Sequence, residues 1–540
     1  MSPRLAPVVA AFLVACTAAP APLHQRTWRS HLVAEVDDPA LAERLEQLCE
    51  KLEEERLELH IPGMALAVVM DDEIVLARGF GLADLEDGEP ATPETLFAIG
   101  SSTKAFTAAV IGMLVDEGKM EWDDPIVDHL PYFTPELDTE DEDAVLTVRD
   151  TLCHDSGFAR MDILWGAGMA SREEILRTAS GAQAWEGFRE GFNYNNIMFL
   201  AAGEASAAAA GKGWDALVEE RLFDPLGMSS TNTSVVESQT DPRLALGYRW
   251  DEDAGEHVHL PMRVLDSIAP AGAINSNVLD MAQWLRFQLG GGVYEGERLI
   301  SEDQVRETRT DQIGPGPDYG LGWFLGDWNG QPVVQHGGNI DGFGAQVAFL
   351  PESSLGYVLL TNVTSTPLQG GSMQIVWETL LGGEEATDAL DFDRYVGNYI
   401  GDFGAWKEAT FEVLVKDERL AVDVPGQIVY TLHPPDDEGK WFFTLTDAIA
   451  VSFERDADGA VQVMHMHQGG LEFELPREEY EFPLEIDLDE VQRYLGRYRD
   501  DLLGEELTVL VDKNRLAVDI PKQMVCHLRL PDEDGWWWFR

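Results

Sequence analysis

The chain has 540 residues, of which 97 are acidic and 38 are basic, and its formal net charge is −59. A hydrophobic fraction of 45% is typical of a globular protein and excludes an extended disordered chain, and this length predicts two or more domains. A field this negative repels nucleic acid and anionic membrane surfaces, so no nucleic-acid partner is expected.

The first 22 residues have the pattern of an export signal. Arg4 precedes an apolar run over residues 5–15, which is too short to span a bilayer. Leu13-Val14-Ala15-Cys16 resembles the lipobox of bacterial lipoproteins, in which the cysteine becomes the lipidated N-terminus. We therefore expect a periplasm-facing lipoprotein of a bacterial cell envelope, held at the membrane by a lipid on Cys16. The alternative is a secreted protein whose signal is cut near Ala19-Pro20-Ala21.

After a predicted linker over residues 23–40, residues 41–385 are expected to form one domain. Leucines at helical spacing predict a helix over 41–60, and the apolar runs 64–70 and 73–80, separated by Asp71-Asp72, predict a β-hairpin. Residues 106–320 alternate helical patterns with loops. Strand patterns return at 333–335, 344–350 and 354–361, and residues 371–382 look helical. Strands at both ends predict one sheet built from both ends of the domain, with a helical insertion.

The phrase Ser101-Ser102-Thr103-Lys104 stands where a strand pattern gives way to a helical one. Residues three apart share a helix face, so the Lys104 amine can lie beside the Ser101 hydroxyl. Serine becomes a good nucleophile when a base takes its proton, and a lysine serves as that base only when its pKa is lowered. On its own, the phrase equally fits a helix cap followed by a solvated lysine.

Two further motifs follow in order along the chain. Tyr194-Asn195-Asn196 is the only Tyr-x-Asn of the sequence, and His336-Gly337-Gly338 follows the strand pattern at 333–335. Each also has a structural interpretation, a buried tyrosine at a helix start in the first case and a packed core histidine in the second. No zinc-type cluster of His and Cys and no phosphate-binding glycine loop is present, so neither a metal nor a cofactor is expected.

From about residue 388 the chain changes to short strand patterns and repeats itself. Arg394-Tyr395-Val396-Gly397 recurs as Arg493-Tyr494-Leu495-Gly496, and Arg419-Leu420-Ala421-Val422-Asp423 recurs as Arg515-Leu516-Ala517-Val518-Asp519. The copies are predicted to occupy residues 388–478 and 489–540. The second copy lacks about the last third of the strand patterns of the first.

The three motifs, in this order, resemble the active-site elements of the serine β-lactamase and penicillin-binding protein superfamily. The resemblance is strongest to its class C-type branch of D-aminopeptidases, DD-carboxypeptidases and esterases, and it covers roughly residues 40–385. It implies an α/β (α+β) β-lactamase-like transpeptidase fold, in which an antiparallel sheet flanked by helices stands beside a helical subdomain. The repeats resemble the small lipocalin-like, barrel-like all-β domains that follow some members.

The resemblance also implies roles for the motif residues. Ser101 would be the nucleophile, and Lys104 and Tyr194 are both candidates for the base. Asn196 is suited to hold Lys104 or a substrate amide, while the amides of Ser101 and Asn339 would form the oxyanion hole beside Gly338. His336 stands where β-lactamases carry the lysine of Lys-Thr-Gly. Because histidine is largely neutral near pH 7, this departure disfavours strong β-lactam recognition.

The expected function is that of a secreted serine hydrolase which forms an acyl-enzyme on small amides or peptides, with peptides containing D-amino acids as the expected substrates. A carboxylesterase on the same scaffold is one alternative. A penicillin-binding sensor with negligible turnover is another.

Overall fold

The computed structural model describes residues 38–382, except 142, 186, 252–253 and 315–316, and residues 392–537 with further gaps at 404–405, 417–418, 437–438, 445, 457–458, 469–470, 479, 481, 483, 485, 487–490, 500–505, 520–524, 529 and 531–536. The predicted signal segment and Cys16 lie outside the described residues, so the lipid anchor stays a prediction. Every helix of the described part is too short or too polar to span a bilayer.

The helices are α1 (Pro39–Glu58), α2 (Thr103–Asp116), α3 (Ile126–His129), α4 (Ile163–Gly166), α5 (Arg172–Ala179), α6 (Asn196–Ala210), α7 (Trp214–Val218), α8 (Asp224–Leu226), α9 (Val235–Ser238), α10 (Ala269–Gly272), α11 (Val278–Leu289), α12 (Glu302–Thr308) and α13 (Leu368–Leu381). Short 3₁₀ turns occupy Gly100–Ser102, Asp266–Ile268 and Phe392–Arg394, and a π-helical turn, Glu219–Phe223, joins α7 to α8.

The strands of residues 38–382 are β1 (Gly63–Met70), β2 (Glu73–Asp84), β3 (Glu89–Pro90), β4 (Phe97–Ala98), β5 (Gly247–Asp251), β6 (Glu256–Leu260), β7 (Asn275–Ser276), β8 (Val293–Tyr294), β9 (Glu297–Arg298), β10 (Phe324–Trp328), β11 (Gln331–Ile340), β12 (Phe343–Leu350) and β13 (Leu355–Thr361). Those after residue 392 are β14 (Gly397–Phe403), β15 (Trp406–Lys416), β16 (Arg419–Asp423), β17 (Val429–Thr431), β18 (Trp441–Phe443), β19 (Thr446–Arg455), β20 (Val461–Gln468), β21 (Leu471–Pro476), β22 (Gly496–Arg499), β23 (Glu506–Asp512), β24 (Arg515–Asp519) and β25 (Val525–His527).

The central sheet has seven strands in the order β10-β11-β12-β13-β1-β2-β3. The first hairpin turns at Asp71 and Asp72, whose φ angles of +50° and +69° suit a tight two-residue turn. The last strand, β13, pairs antiparallel with β1 in the register Met64↔Thr361. The prediction of one sheet built from both ends of the domain is therefore confirmed.

The two faces of this sheet bury different side chains because successive strand residues point to opposite sides. On β1, Ala65 and Ala67 belong to a core that includes Phe106 of α2, Phe199 of α6 and Trp284 of α11. The alternate residues, Met64 and Leu66, pack in a second core with Leu48 of α1 and Trp377 of α13. The sheet thus separates the helical insertion from the pair formed by α1 and α13.

The part after residue 392 consists of small antiparallel sheets. The first copy forms two four-stranded sheets, β14–β17 and β18–β21, around one shared core. Single bridges, Leu432↔Phe443 and Tyr399↔Arg477, join the sheets at their edges, but among the described residues no ladder closes them into one barrel. The second copy forms one four-stranded sheet, β22–β25, and the repeated Arg-Leu-Ala-Val-Asp phrases occupy the equivalent strands β16 and β24.

The first of these C-terminal units packs on α1 and α13. Thr431 donates to Glu378 of α13 at 2.9 Å, and Lys416 pairs with Glu55 of α1 at 3.4 Å. Ile428 covers Gly371 of α13 so closely that a Cβ at this glycine would lie 2.0 Å from Ile428 Cδ1. The unit therefore rests on the face of the central sheet opposite to α2.

Candidate active site

Ser101 lies in the 3₁₀ turn that leads into α2. Gly100 has a φ of +49°, in the left-handed region where glycine is favoured. The hydroxyl of Ser102 donates to the carbonyl of His336 at 3.0 Å, and Thr103 Oγ1 accepts from the amide of Ile274 at 3.2 Å. These bonds fix the start of the helix against β11, while Ser101 itself lines a cleft.

Lys104, one helical turn further on, is fully buried. Its Nζ lies 3.1 Å from Ser101 Oγ, 2.8 Å from Asn196 Oδ1 and 2.9 Å from the carbonyl oxygen of Ala271. Burial, and then the charge of Arg160, lower the pKa of Lys104 well below the ordinary value for lysine. A neutral amine has two N–H groups and one lone pair. Because Asn196 Oδ1 and the carbonyl can only accept, the lone pair is left for the Ser101 hydroxyl.

A carboxylate fixes the orientation of the Asn196 amide. Asn196 Nδ2 donates to Asp162 Oδ1 at 3.1 Å, so its oxygen must face Lys104. Asp162 also accepts from Arg160 Nε at 2.5 Å and from the indole nitrogen of Trp165 at 2.9 Å. Asp162 is thus a positioning residue one step removed from Lys104.

Tyr194 immediately precedes α6, whose N-cap is the side chain of Asn195. Its hydroxyl lies 2.7 Å from Ser101 Oγ, and Lys104 Nζ lies 4.7 Å from the centroid of its ring. Burial raises the pKa of Tyr194 well above the ordinary value for tyrosine. The raised pKa favours the neutral phenol, which donates a hydrogen bond to Ser101 Oγ.

Strand β11 passes directly beside the turn that carries Ser101. A Cβ at Gly338 would lie 1.9 Å from the carbonyl oxygen of Ile99 and 2.9 Å from the amide nitrogen of Ser101. A Cβ at Gly100 would in turn lie 2.9 Å from the amide nitrogen of Asn339. The main chains of Ser101 and Asn339 are therefore neighbours, as an oxyanion hole requires.

His336 is not brought into the cleft. It is 1% exposed, its Nε2 lies 3.0 Å from Tyr319 OH, and its Nδ1 lies 2.6 Å from the carbonyl oxygen of Gly337. Burial, with the nearby charge of Lys104, lowers the pKa of His336 to about 3. A neutral, packed histidine here favours the structural interpretation over a cation that contacts substrate. The other motif residues come together: Ser101, Lys104, Tyr194, Asn196, Gly338 and Asn339.

Comparison with protein families gives a match over most of the N-terminal domain. A model described as Beta-lactamase matches residues 48–375. This chain belongs to the Beta-lactamase family.

Two of the proteins to which this chain is similar are named hydrolases. The chain is 32% identical over 326 residues to unguisins hydrolase ungD' of Aspergillus campestris and 29% identical over 347 residues to unguisins hydrolase ungD of Aspergillus violaceofuscus. It is 24% identical over 311 residues to protein flp of Staphylococcus aureus. These matches cover 57–58% of this chain and 59–60% of the relatives, so the chain spans about three fifths of their length. The family and the named hydrolases support a hydrolase.

Solved structures support the fold of this Beta-lactamase-family chain. The octameric penicillin-binding protein homologue from Pyrococcus abyssi matches with a TM-score of 0.58 at 22% identity, over 89% of this chain and 99% of that one. The crystal structure of SurE matches with a TM-score of 0.52 at 21% identity, over 81% and 100% of the two chains.

The cleft at Ser101 contains residues that the family's motifs do not mark. It has a volume of about 130 Å³, and its apolar wall includes Trp165, Leu265, Ile268 and Ile340. Arg160 is the only charged side chain among its lining residues. Sequence reasoning missed Arg160 and Asp162 because both lie in a loop, where no periodicity or motif distinguishes them from solvated charges.

His154 is a third residue of the site that none of the three motifs marks. It is fully buried, its ring centroid lies 4.2 Å from that of Tyr194, and its Nδ1 accepts from the amide of Asn195 at 3.0 Å. Its ring therefore supports Tyr194 from behind. The described residues contain no group of His, Cys, Asp and Glu arranged to hold a metal ion.

Proposed function

We propose that this protein is a serine hydrolase that forms an acyl-enzyme on Ser101. The observation that carries the proposal is the environment of Lys104 Nζ, which is fully buried and surrounded by three oxygens, one of them Ser101 Oγ. A structural lysine gains nothing from such burial, because removing an ammonium from water is costly. A general base gains the lowered pKa that it needs.

In the proposed first step, the Ser101 hydroxyl attacks the carbonyl carbon of the substrate. The proton on Oγ passes to the lone pair of Lys104 Nζ as the new carbon–oxygen bond forms. The carbonyl oxygen becomes an oxyanion, which the amides of Ser101 and Asn339 would stabilise. This assignment makes Lys104 the base and leaves Tyr194 protonated, in keeping with the opposite directions in which burial moves their pKa values.

In the second step, the tetrahedral intermediate collapses and expels its amine or alcohol. The leaving atom needs a proton, and Tyr194 OH is the donor nearest to Ser101 Oγ, at 2.7 Å. Lys104, which took the Ser101 proton in the first step, then passes it to the Tyr194 phenolate, so that both groups regain their starting forms. Water attacks the acyl-enzyme with Lys104 again as base, and the proton that Lys104 takes from the water passes to Ser101 Oγ as the ester bond breaks and the acid is released. The Tyr194 hydroxyl therefore marks the side of the cleft on which the leaving group lies.

We propose small amides or peptides as the substrate class and, within that class, peptides that carry D-residues. Two curated relatives are named hydrolases, and the order of the motifs resembles D-aminopeptidases and DD-carboxypeptidases. The neutral, buried His336 gives no cation for a β-lactam carboxylate on β11. Esters would follow the same chemistry, so an esterase remains the second candidate.

Labelling with a fluorophosphonate tests the proposal. The expected result is a single modified serine, Ser101, identified by mass spectrometry of the labelled peptide, with no labelling of the Ser101→Ala variant. A panel of D-amino-acid anilides, D-Ala-D-Ala peptides, short nitrophenyl esters and a chromogenic cephalosporin then separates peptidase from esterase. Labelling of another serine, or equal labelling of the variant, would show that Ser101 is not the nucleophile.

The pH dependence of acylation gives a separate prediction for Asp162. Burial and the charge of Arg160 lower the pKa of Lys104, and the negative charge of Asp162 raises it by a smaller amount. Acylation needs neutral Lys104, so its rate falls as the pH drops through that pKa. Asp162→Asn should therefore move this acidic limb to lower pH, measured by stopped-flow with an activated ester. A limb that stays in place would mean that Asp162 has no electrostatic effect on the base.

A further inference from the structure

The side chain of Gln369 binds the main chain of β11 next to the proposed oxyanion hole. Gln369 lies in the first turn of α13 and is 7% exposed. Its Nε2 donates to the carbonyl oxygen of Gly338 at 2.8 Å and to that of Ala345 at 2.9 Å. Because both neighbours can only accept, the amide nitrogen and not the amide oxygen must face them. Gln369 therefore links β11 to β12 at the paired residues Gly338 and Ala345.

The carbonyl group of Gly338 and the N–H group of Asn339 belong to the same peptide. In a planar trans peptide, the C=O and N–H bonds point in opposite directions. A hydrogen bond that fixes the Gly338 oxygen therefore also fixes the direction of the Asn339 N–H, which is one of the two oxyanion donors of the proposed function. A donor on the carbonyl oxygen also polarises the peptide, and this strengthens its N–H as a donor.

The sheet itself holds this part of β11 from one side. Strand β10 pairs with residues 331–335 of β11, and among the described residues its ladder does not extend to residues 336–340. The side chain of Asn339 gives a further fixed point, since its Oδ1 accepts from the amide of Ser365 at 2.7 Å. Both side-chain bonds to residues 338 and 339 thus join β11 to α13 or to the turn that precedes it.

The backbone that carries Gln369 is itself held in place. Ser372 Oγ donates to the carbonyl oxygen of Gln369 at 2.7 Å, and Tyr357 OH of β13 lies 2.7 Å from the same Oγ. Since the single hydroxyl proton of Ser372 is used on Gln369, the tyrosine is the donor in the second bond. Ile428 of the first C-terminal unit packs against Gly371, two residues after Gln369. The central sheet and the C-terminal unit therefore both fix the start of α13.

We propose that Gln369 is a positioning residue that aims the Asn339 amide at the oxyanion. This inference rests on the proposed function and adds a residue to it, because an oxyanion forms only if Ser101 attacks a carbonyl group. Gln369 acts through the Gly338 peptide rather than by contact with the substrate. Its loss should therefore weaken the stabilisation of the oxyanion and leave the proton transfers unaffected.

The test compares an ester with its thionoester. The para-nitrophenyl ester of phenylacetic acid and its thionoester differ in one atom, because C=S replaces C=O. In the thionoester the negative charge develops on sulfur, which is a larger atom and a weak acceptor of hydrogen bonds. The measured quantity is the ratio of kcat/KM for the oxygen ester to that for the thionoester. This ratio cancels effects on proton transfer, since both esters use the same nucleophile, base and leaving group.

Gln369→Met, which keeps the length of the side chain and removes its donors, is expected to lower this ratio by about tenfold. That loss is part of the 10²–10³-fold typical when a whole oxyanion-hole donor is removed. Gln374→Met is the matched control, because Gln374 is a glutamine of the same helix, 4% exposed, whose amide donates to Thr431 and Glu378. It should leave the ratio within about twofold, as expected of an independent site.

Gly344→Ala displaces the Gln369 amide without removing it. A Cβ at Gly344 would lie 2.9 Å from Gln369 Cδ and 3.0 Å from its Nε2, as well as 2.7 Å from Thr361 Oγ1. The ratio should therefore fall in this variant too. In the double variant with Gln369→Met, the ratio should be close to that of Gln369→Met alone, because the bond that Gly344→Ala disturbs is already absent.

An unchanged ratio in Gln369→Met, or an equal fall in Gln374→Met, would overturn the role of Gln369 and leave the serine mechanism in place. Where Gln369→Met does not fold, as judged by circular dichroism, an unchanged ratio in Gly344→Ala overturns that role in the same way. If the unaltered protein hydrolyses neither ester and a fluorophosphonate does not label Ser101, the proposed function itself fails, and the role of Gln369 with it.

Discussion

Replacing Lys104 with methionine is expected to lower the rate of Ser101 acylation by about 10²–10⁴-fold, the range typical of a lost general base. Methionine fills a similar volume, so the fully buried site stays packed. Stopped-flow acylation by an activated ester measures the effect, and Lys119→Met, at an exposed lysine paired with Glu117, is the control. Acylation at nearly the original rate in Lys104→Met would assign the base to Tyr194 or to water.

The same variant has a signature in stability. Because the pKa of Lys104 is lower in the folded protein than in the unfolded chain, unfolding takes up a proton at any pH between the two values. The stability that Lys104 contributes therefore increases with pH over that window, by at most about 1.4 kcal/mol per pH unit. The free energy of unfolding of the unaltered protein, minus that of Lys104→Met, should rise as the pH increases towards the ordinary pKa of lysine, about 10.4. A flat difference would mean that Lys104 stays protonated in the fold.

Gly338→Ala is expected to lower kcat by about 10²–10³-fold, as the loss of an oxyanion-hole donor does. A methyl group at this position would lie 1.9 Å from the carbonyl oxygen of Ile99, which is backbone and cannot rotate away. Either β11 or the turn at Ser101 must shift, and the amides of Ser101 and Asn339 would then no longer converge. Steady-state kinetics with a small ester, together with circular dichroism to confirm folding, measures the result.

Gly337→Ala provides the control for this substitution. A Cβ there would meet the flexible side chain of Gln346, 3.0 Å away, because neighbouring residues of a strand point to opposite faces. We expect a change of less than about threefold in kcat. Equal losses in the two variants would show that strand β11 is simply intolerant of side chains and does not place an oxyanion hole at Gly338.

The parts of the fold that local patterns determine were predictable from the sequence. The two apolar runs and the Asp71-Asp72 turn between them predicted the first hairpin, and the observed helix Pro39–Glu58 differs from the predicted 41–60 only at its ends. Whether the first C-terminal copy closes into a barrel was not predictable in this way, because closure depends on edge pairing between distant strands. In the structure that pairing is reduced to single bridges such as Tyr399↔Arg477.

In the candidate site, too, the contacts that follow from local geometry were predictable, and those that depend on tertiary packing were not. Ser101 and Lys104 are one helical turn apart, so their proximity follows from helix geometry alone. The position of His336 depends on the face of β11 that packs against Tyr319, and a three-residue motif carries no information about that contact. Asp162 contacts Asn196, and Arg160 contacts Tyr194. Both are tertiary contacts, which no spacing in the sequence predicts.

The pairing of β1 with β13 has a consequence for biosynthesis. Met64 finds its partner only when Thr361 has been made, so the helical insertion must be synthesised before the central sheet can close. Bringing β1 and β13 together costs chain entropy before their strand contacts can form and offset that cost, and this slows folding. During that interval, the apolar edge of β1 is exposed to other chains. A ribosome-bound nascent chain that ends before β13 should therefore depend on chaperones and remain sensitive to proteases, and resistance should appear once β13 has emerged.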